Sequence, residues 1–521
     1  MVFHRFKDNF LLEFKMKTIL QQLENYKNRF PDKIAFADEK NSFTYKTFVE
    51  NSKKIACGIL NKIQGKNQPI AVFDNRDVYT LTAMFGALFS GNYYVVLDSH
   101  SPADRLQKII STLNPSIFLC SQENTDLVSV LNIPESLTIY INTVNCETDE
   151  KLLSLVYSKI ISTDPAYALF TSGSTGMPKG TVLSHGNILA YIEWFTKQFD
   201  VTEDTIFANQ TPFYFSMSVS DIFGTVYTGA TFNIVPKSYF SFPIHLINYL
   251  NEREVNTIYW VPSALCIVAN LKLFDYTKPK YLKKVMFAGE VMPIKQLNYW
   301  IEKLDGVTFA NLFGPTETTD ICTFYVVNRT FKDEETLPIG KHCDNCDTFI
   351  VGDDGKEITE MEKIGELYAR GPFVAYGYYD NAEKTNSSFV QNPLQSHYPE
   401  KVYRTGDLVK LNKFGEYEYM GRKDFQIKHM GYRIELGEIE ANAGAIEKVN
   451  GVVCVYDTEK DNIVCVYEGR IKENDFLTAL CAKIPDYMVP NVIIRIKQLP
   501  YNANGKIDRL FIKNNYKNLS V

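Results

Sequence analysis

The most informative segment of this chain is the decamer Thr171-Ser172-Gly173-Ser174-Thr175-Gly176-Met177-Pro178-Lys179-Gly180. It follows an apolar run at 166–170, which predicts a strand, and it precedes a predicted helix at 186–199. Its small residues allow backbone amides and hydroxyl groups to approach an anion closely, and Lys179 adds a positive charge. The decamer therefore indicates a phosphate-binding loop, although flexible surface loops have a similar composition. It does not follow the Walker pattern of nucleoside triphosphatases, because Pro178 stands where that pattern has a glycine.

Short apolar runs alternate with helical patterns on both sides of the decamer. The helical patterns lie at 81–89 and 186–199, and the runs that predict strands lie at 70–73, 93–97, 166–170, 231–235 and 257–261. This alternation is typical of parallel α/β layers. The continuous apolar character of the runs predicts strands that are buried on both faces of a sheet. We therefore expect a multidomain α/β fold whose large N-terminal part contains two α/β layered subdomains.

The sequence pattern changes after about residue 330. Short strand candidates are separated there by turn signals such as Asp353-Asp354-Gly355 and Lys413-Phe414-Gly415, which predicts a β-rich subdomain at about 330–420. The polar run Gly421-Arg422-Lys423-Asp424 comes next and precedes a segment with its own apolar positions. We therefore expect a large N-terminal domain at 1–423 and a small, mobile α+β domain at 424–521.

The composition is that of a large globular protein without a basic surface. Of the 521 residues, 45% are hydrophobic and 22% are charged, and the formal net charge is −6. A chain with this negative net charge has no positive electrostatic field to attract nucleic acid or anionic membranes, so we expect neither as a partner. The ten scattered cysteines, the absence of an uninterrupted apolar core at 1–20 and a longest apolar stretch of only 81–89 predict a cytoplasmic protein.

The decamer and a series of other segments resemble the signatures of the adenylate-forming enzymes. This superfamily includes the amino-acid adenylation domains of nonribosomal peptide synthetases, the D-alanine–carrier protein ligases, acyl-CoA synthetases and firefly-type luciferases. The other matching segments, in chain order, are Phe43-Thr44-Tyr45, Gly91-Asn92-Tyr93-Tyr94-Val95-Val96-Leu97-Asp98, Asn311-Leu312-Phe313-Gly314-Pro315-Thr316-Glu317-Thr318-Thr319, Gly365-Glu366-Leu367, Tyr403-Arg404-Thr405-Gly406-Asp407, Gly421-Arg422-Lys423-Asp424-Phe425-Gln426-Ile427-Lys428, Tyr487-Met488-Val489-Pro490 and Asn504-Gly505-Lys506-Ile507-Asp508. The motifs are most similar to those of stand-alone amino-acid adenylation enzymes and D-alanine–carrier protein ligases.

This resemblance implies a reaction in two steps. A substrate carboxylate attacks the α-phosphorus of ATP, which gives an acyl-adenylate and pyrophosphate, and the acyl group then passes to a thiol. Glu317 offers an oxygen ligand for Mg²⁺. The ring of Phe313 would stack on adenine, and the Asp407 carboxylate would accept hydrogen bonds from the ribose hydroxyls. The implied ATP-binding residues are Thr171, Ser172, Gly173, Ser174, Thr175, Gly176, Lys179, Asn311, Leu312, Phe313, Gly314, Pro315, Thr316, Asp407, Arg422 and Lys506.

The resemblance also assigns roles near the C-terminus. Lys506 corresponds to the catalytic lysine, which bridges the substrate carboxylate and the α-phosphate. Because Lys506 belongs to the small domain, a rotation of that domain about Asp424 must carry it into the site. In the thiol-transfer state, Gly431 and its neighbours take the place of Lys506. Arg422 corresponds to an arginine that contacts ribose and phosphate.

The substrate pocket is where this sequence departs from the family. Members that activate α-amino acids have an aspartate after a phenylalanine, and that aspartate pairs with the substrate's ammonium group. The matching residue after Phe215 is Ser216, whose neutral hydroxyl cannot replace a carboxylate, so an ordinary α-amino acid is in doubt. By the same alignment the pocket is lined by Ser216, Met217, Ser220, Trp260, Met286, Ala288, Leu312, Asp320 and Ile321.

Asp320 stands where family members usually have an apolar residue. One hypothesis is that Asp320 supplies the missing charge from another wall and receives the amine of a β-amino or ω-amino acid. The alternative is that Asp320 pairs with a protein donor or with water. Trp260 and the methionines predict a limited, partly apolar cavity rather than a long fatty-acid tunnel.

We therefore expect an ATP-dependent ligase that adenylates a small carboxylic acid, either an amino acid or an amino-acid-like one. The sequence has no Gly-Gly-x-Ser carrier signature, so the expected acceptor is the phosphopantetheine thiol of a separate carrier protein. The alternatives are an acyl- or aryl-CoA ligase, which uses coenzyme A, and a non-catalytic nucleotide-binding homologue. Two further motifs have simpler interpretations: His342-Cys343-Asp344-Asn345-Cys346 has too few ligands for zinc and predicts a turn, and His185 begins a helix.

Overall fold

The computed structural model describes residues 18–144, 146–173, 176–333, 335–500 and 507–519. Three residues of the expected ATP site, Ser174, Thr175 and Lys506, lie outside these described residues.

The strands are numbered in chain order. Strands β1 to β13 are Ile34–Ala37, Ser42–Thr44, Pro69–Asp74, Tyr93–Asp98, Ile117–Cys120, Thr138–Tyr140, Pro165–Thr171, Lys179–Ser184, Ile206–Asn209, Thr231–Ile234, Thr257–Trp260, Lys284–Phe287 and Thr308–Phe313. Strands β14 to β26 are Thr323–Val326, Lys341–His342, Asp347–Val351, Gly365–Arg370, Gly377–Tyr378, Phe389–Gln391, Lys401–Leu411, Tyr417–Arg422, Gln426–His429, Tyr432–Glu435, Val449–Asp457, Asn462–Gly469 and Val492–Ile496.

The α-helices are numbered in the same way. Helices α1 to α15 are Leu20–Arg29, Tyr45–Lys62, Val78–Phe89, Ala103–Leu113, Thr125–Val130, Glu150–Ser158, His185–Gln198, Ser218–Thr228, Pro243–Glu252, Pro262–Asn270, Ile294–Lys303, Ala382–Ser388, Leu436–Gly444, Glu473–Cys481 and Arg509–Asn515.

Two large mixed sheets form the N-terminal part. The nine-stranded sheet has the order β15-β14-β13-β12-β11-β9-β10-β1-β2, and its strands from β13 to β1 are parallel. The seven-stranded sheet has the order β18-β8-β7-β4-β3-β5-β6, and its strands from β7 to β6 are parallel. Strands β3 and β4 are buried along nearly their whole length, which agrees with the continuous apolar runs that predicted them.

Helix α3 links the cores of the two sheets. It begins at Val78, where the carboxylate of Asp77 accepts a hydrogen bond from the amide of Thr80. Within this helix, the ring of Phe85 packs against Phe36 of β1 and Phe223 of α8. Because α3 follows β3 of one sheet and contacts β1 of the other, it is buried along nearly its whole length.

The helix expected at 186–199 is α7, and a further strand lies between it and the decamer. The decamer joins β7 to β8, and these two strands are antiparallel. Helix α7 begins only afterwards at His185, where the Ser184 hydroxyl accepts a hydrogen bond from the amide of Asn187. The short run Thr181-Val182-Leu183 forms the intervening strand, which the sequence pattern alone left unassigned.

The remaining strands form smaller sheets. Most strands of the expected β-rich subdomain form one antiparallel sheet. Its order is β16-β17-β20-β19, and β21 also pairs with β20. After Arg422 the chain forms the hairpin β22–β23 and a separate sheet of β24, β25 and β26. These C-terminal elements have apolar clusters of their own, one of them around Ile439 and Phe476. On this basis we propose a domain boundary near Asp424.

Among the described residues, none of the helices has both the length and the apolar character needed to cross a membrane.

Candidate active site

A cleft opens at the carboxyl ends of adjacent parallel strands. Its walls come from the residues that directly follow β9, β11, β12 and β13, together with Thr171 at the end of β7. The hairpin β22–β23 of the C-terminal part closes the opposite side. Crevices at the carboxyl ends of parallel strands are the usual binding sites of α/β proteins.

The phosphate-binding loop contacts the C-terminal part through its own polar groups. The Ser172 hydroxyl donates a hydrogen bond of 2.7 Å to the carbonyl oxygen of Arg433 and accepts one of 3.1 Å from the amide of Glu435. The amide of Gly173 donates to a carboxylate oxygen of Glu438 at 3.0 Å. The carboxylate of Glu438 therefore accepts the hydrogen bond of an amide that the sequence analysis expected to bind a phosphate. Glu438 also pairs with Arg105 of α4, which anchors α13 to the N-terminal part.

Glu317 lies behind the cleft wall and is paired with two cations. It is fully buried, and its Oε2 lies 2.6 Å from Nη1 of Arg433, while its Oε1 accepts a 2.6 Å hydrogen bond from the hydroxyl of Tyr378. Lys179 Nζ lies 3.6 Å from the same Oε1. Burial by itself would raise the pKa of Glu317, but the charges of Arg433 and Lys179 outweigh burial and hold the pKa well below its usual range. Glu317 is therefore an ionised acceptor for cations.

The surroundings of Glu317 fit a magnesium ion only after a rearrangement. Mg²⁺ usually binds one or two carboxylates, together with water and the phosphates of its substrate. No group of three or more histidine, cysteine or acidic side chains suited to a metal occurs in the described ranges. Glu317 by itself could be the single carboxylate ligand of such an ion. In this structure the guanidinium of Arg433 pairs with that carboxylate instead. The metal would therefore be held by Glu317 and by phosphates once Arg433 has moved away.

Lys179 lies inside the protein rather than in solvent. Its Nζ donates a 3.4 Å hydrogen bond to the hydroxyl of Tyr378, which in turn donates to Glu317. Burial, followed by the nearby charge of Arg433, lowers the pKa of Lys179 to about 8. The sequence analysis did not identify Tyr378 or Arg433. The Gly377-Tyr378 pair lies on the edge strand β18 beside β8, so only the folded chain brings it to the phosphate loop.

The expected nucleotide residues Asp407 and Arg422 form an ion pair at the cleft. Nη1 of Arg422 lies 3.0 Å from Oδ1 of Asp407, and its Nη2 lies 2.7 Å from Oδ2 of Asp424, the expected hinge. Phe313, the expected adenine-stacking residue, is covered: Lys428 Nζ lies 4.4 Å from the centre of its ring. In this arrangement a lysine of the hairpin covers the aromatic face on which a base would stack.

The tip of the hairpin β22–β23 is seated against the cleft wall. Gly431 at this tip has a φ of +80°, and a Cβ atom at this position would lie 2.5 Å from Cγ1 of Val261. Only glycine therefore fits here without strain or displacement of the wall. Met430 and Tyr432 on either side of Gly431 also line the cleft.

Five residues of the expected substrate pocket line the cleft: Ser216, Met217, Ala288, Asp320 and Ile321. Ser220 lies behind that wall, where its hydroxyl donates a 2.7 Å hydrogen bond to Oδ2 of Asp320. Met286 is buried within β12, and Leu312 lines a second cavity described below. These two residues are therefore not part of the cleft wall that the structure describes.

The assignment of Trp260 to the pocket is corrected by the structure. Its indole donates a 2.7 Å hydrogen bond to the carbonyl oxygen of Ala208 and its ring packs against Phe240. Side chains alternate between the two faces of a strand. The neighbours Tyr259 and Val261 therefore face the pocket side: Tyr259 donates to Asp320 at 3.1 Å, and Val261 lines the cleft.

A second, larger cavity adjoins the cleft and shares Gly289, Arg422, Gln426 and Lys428 with it. It lies between α10 and the loop after β12 on one side and β24 and α15 on the other. The cavity therefore separates the N-terminal part from the C-terminal part and leads to the cleft.

Two motifs outside the cleft adopt the local structure that the sequence analysis expected. His185 begins α7, and burial lowers its pKa to about 4. Cys343 and Cys346 form a turn in which the amide of Cys346 donates to the carbonyl oxygen of Cys343 at 3.1 Å.

Comparisons with known proteins identify the family of this chain. The model of the family described as AMP-binding enzyme matches residues 23–379. The L-proline–[L-prolyl-carrier protein] ligase of Pseudomonas fluorescens is 31% identical, over 95% of this chain and 98% of that protein. The D-alanine–D-alanyl carrier protein ligase of Lacticaseibacillus casei is 30% identical, over 92% of this chain and 95% of that protein. Several other matches cover only 10% to 19% of longer proteins.

Solved structures confirm the expected fold class. The adenylation domain AlmE of Vibrio cholerae, in complex with glycyl-adenosine-5'-phosphate, superposes with a TM-score of 0.83 at 20% identity, over 97% of this chain and 99% of that one. The resemblance to adenylate-forming enzymes and the expectation of an ATP-dependent ligase are confirmed at the level of the family. The chain belongs to the AMP-binding enzyme family.

Proposed function

We propose that this enzyme uses ATP to convert a small carboxylic acid into an acyl-adenylate and then transfers the acyl group to the phosphopantetheine thiol of a separate carrier protein. The observation that carries this proposal is the convergence of three groups at one cleft. Thr171 of the phosphate loop and the Asp407–Arg422 pair line the cleft, and the buried Glu317 contacts both Lys179 of that loop and Arg433 of the cleft wall. The two relatives that are named as ligases of a carrier protein support the choice of acceptor.

In the first half-reaction the cleft must bring two anions together. The loop from Thr171 to Lys179 provides amides, hydroxyls and one cation for the phosphates, and Asp407 accepts hydrogen bonds from the ribose. Mg²⁺ held by Glu317 supplies positive charge to the phosphates when it is bound. Lys506 stabilises the charge that develops as the carboxylate oxygen bonds to the α-phosphorus and pyrophosphate leaves.

The contacts of the C-terminal part are incompatible with that first half-reaction. Arg433 pairs with Glu317, and Glu438 accepts the hydrogen bond of the Gly173 amide. Both residues must withdraw before Mg²⁺ and the phosphates of ATP can bind. These contacts support our assignment of this arrangement to the thiol-transfer step, in which Gly431 and its neighbours are expected to take the place of Lys506.

In the second half-reaction the thiol reaches the cleft through the adjoining cavity. The thiol sulfur bonds to the acyl carbon, the bond between that carbon and the phosphate oxygen of AMP breaks, and the thiol proton passes to solvent. Phosphopantetheine is a long, thin group, and the cavity between the N-terminal and C-terminal parts leads to the cleft at Gly289 and Lys428. The domains on either side are 1–423 and 424–521, with the hinge at Asp424.

The acceptor is tested by competition between two thiols. The enzyme is first assayed for acid-dependent exchange of pyrophosphate into ATP over a panel of α-amino, β-amino and hydroxy acids. The best acid is then supplied with equal concentrations of a phosphopantetheinylated carrier protein and coenzyme A, and both thioesters are quantified by mass spectrometry. We expect the carrier thioester to dominate. Predominant formation of the coenzyme A thioester would support the ligase of the acyl-CoA type instead.

A further inference from the structure

Asp320 is a buried carboxylate whose contacts in the protein are with neutral hydroxyl groups. Its Oδ2 accepts hydrogen bonds from Ser220 at 2.7 Å and from Tyr191 and Tyr259 at 3.1 Å each. The nearby hydroxyl of Ser216 also favours the ionised form and so lowers the pKa of Asp320. Within the described part of the chain, no ion pair joins Asp320 to a lysine, arginine or histidine. The carboxylate accepts hydrogen bonds, but no positively charged side chain among the described residues neutralises it.

The position of Asp320 makes this unpaired charge accessible to a ligand. Asp320 lines the cleft, and the wall around it is mostly apolar, with Met217, Val261, Ala288 and Ile321. Burial raises the pKa of Asp320 to about 6, while the hydroxyl groups oppose that rise, so the group remains largely ionised at neutral pH. Buried charges in proteins are as a rule paired, which makes a cationic ligand the natural partner.

We propose that Asp320 binds the protonated amine of the acid that this enzyme activates, and that this amine is on a carbon beyond the α-carbon. The inference rests on the proposed function, because it names the substrate class of the same cleft. Three hydroxyl donors contact Oδ2, so in this proposal Oδ1 receives the ammonium group.

The different positions of Ser216 and Asp320 determine where the amine lies. Both residues line the cleft, but the carboxylate of Asp320 is held beside the hydroxyl groups of Tyr191 and Tyr259. Ser216 carries no charge at the position where the resemblance places the partner of an α-ammonium group. We therefore expect Asp320 to select β- or γ-amino acids over α-amino acids.

Matched acids test this proposal in the wild-type enzyme. Acid-dependent exchange of pyrophosphate into ATP is measured with 3-aminobutanoate, 3-hydroxybutanoate and 3-methylbutanoate, which differ only in the group on the β-carbon. The α-amino isomer 2-aminobutanoate and the γ-amino isomer 4-aminobutanoate complete the panel. We expect kcat/KM to be highest for the β- or γ-amino acid, at least about 30-fold above its amine-free analogue.

Two variants locate the effect at one side chain. Asp320→Asn keeps the shape but removes the charge, and we expect kcat/KM for the amino acid to fall to the level of its amine-free analogue. A thermal unfolding midpoint close to that of the wild type shows that the variant is folded. The double variant Ser216→Asp/Asp320→Asn moves the carboxylate back along the wall, and we expect it to prefer 2-aminobutanoate.

The outcomes separate this inference from the proposed function. Exchange that is equally fast with amine-free acids, or an amine preference that survives Asp320→Asn, would overturn the role of Asp320 and leave adenylation standing. Preference for 3-hydroxybutanoate over 3-aminobutanoate would likewise overturn it, because Asp320 would then bind a neutral donor. Absence of exchange with every acid would contradict the proposed function itself.

Discussion

Arg433 places its Nη1 2.6 Å from Oε2 of Glu317, although the two residues are 116 positions apart in the sequence. Both side chains are buried or nearly so, and Glu317 has a role in each proposed half-reaction. In the first it would hold a metal ion, and in the second it would hold the guanidinium of Arg433. We therefore expect this pair to stabilise the proposed thiol-transfer state.

Arg433→Ala should slow thiol transfer and spare adenylate formation. The change leaves Glu317 buried without its main partner in the transfer state, and loss of one member of a buried ion pair typically costs about 3 to 5 kcal/mol. Transfer of a supplied acyl-adenylate to a carrier protein should therefore fall by about 100-fold or more. Exchange of pyrophosphate into ATP should stay near the wild-type rate. Arg470→Ala, which removes an exposed arginine of the same part of the chain, is the control. An equal loss in both assays would refute this role of Arg433.

Gly431→Ala should have a similar effect for a steric reason. The added Cβ would meet Val261 and would also require a positive φ, which costs a non-glycine residue about 1 to 2 kcal/mol. We expect the hairpin to seat poorly, so that thiol transfer falls while adenylate formation continues. Gly415→Ala is a matched control, since Gly415 has a φ of +74° in a turn where a Cβ meets nothing within 4 Å. Single-turnover transfer assays compare the two variants. Normal transfer by Gly431→Ala would show that the hairpin tip need not contact Val261.

Removal of metal should affect only one half-reaction. Glu317 is paired with Arg433 in the transfer state, so this state has no vacant carboxylate there for a cation. Chelation of Mg²⁺ with EDTA should abolish pyrophosphate exchange and leave transfer from a supplied acyl-adenylate unchanged. Addition of Mg²⁺ should restore exchange. Loss of both activities on chelation would contradict the proposed replacement of the metal by Arg433.

His185 should make the enzyme less stable in acid. Its pKa is lowered by burial to about 4, whereas an unfolded histidine titrates near 6.5, so the unfolded state binds the proton first as pH falls. Stability is therefore lost as pH drops from about 6.5 towards 4, and the loss approaches roughly 3 kcal/mol. The midpoint of thermal unfolding, measured between pH 7 and pH 4.5, should fall more for the wild type than for His185→Gln. Parallel pH profiles would show that His185 does not contribute.

Much of the fold could be predicted because its strands are buried on both faces. The runs at 70–73, 93–97 and 166–170 lie within β3, β4 and β7, where no polar alternation obscures the pattern. Strand β8 was missed because it begins with Lys179 and Gly180, which the sequence analysis assigned to the loop. Trp260 was misplaced because an alignment gives a position but not the face of the strand to which a side chain points.

The long-range contacts of the site could not be predicted from local patterns. The pairs Arg433–Glu317 and Glu438–Gly173 join segments that are more than 100 residues apart. Both depend on how the C-terminal part docks, which no residue near Glu317 or Gly173 encodes. The hydroxyl groups of Tyr191 and Tyr259 around Asp320 were missed for the same reason. Asp320 itself was found because it is an unexpected charge at an expected pocket position.

The most direct test of the two-state account is a comparison of both half-reactions in Lys506→Ala. One aliquot is assayed for acid-dependent pyrophosphate exchange, and the other for transfer of a supplied acyl-adenylate to a carrier protein. Loss of this charge-stabilising lysine should lower exchange by about 100-fold or more, because the developing charge at the α-phosphate is left without its cation. Transfer should stay close to the wild-type rate, since the hairpin occupies the cleft in that step. Comparable loss of both rates, or normal exchange, would contradict the account.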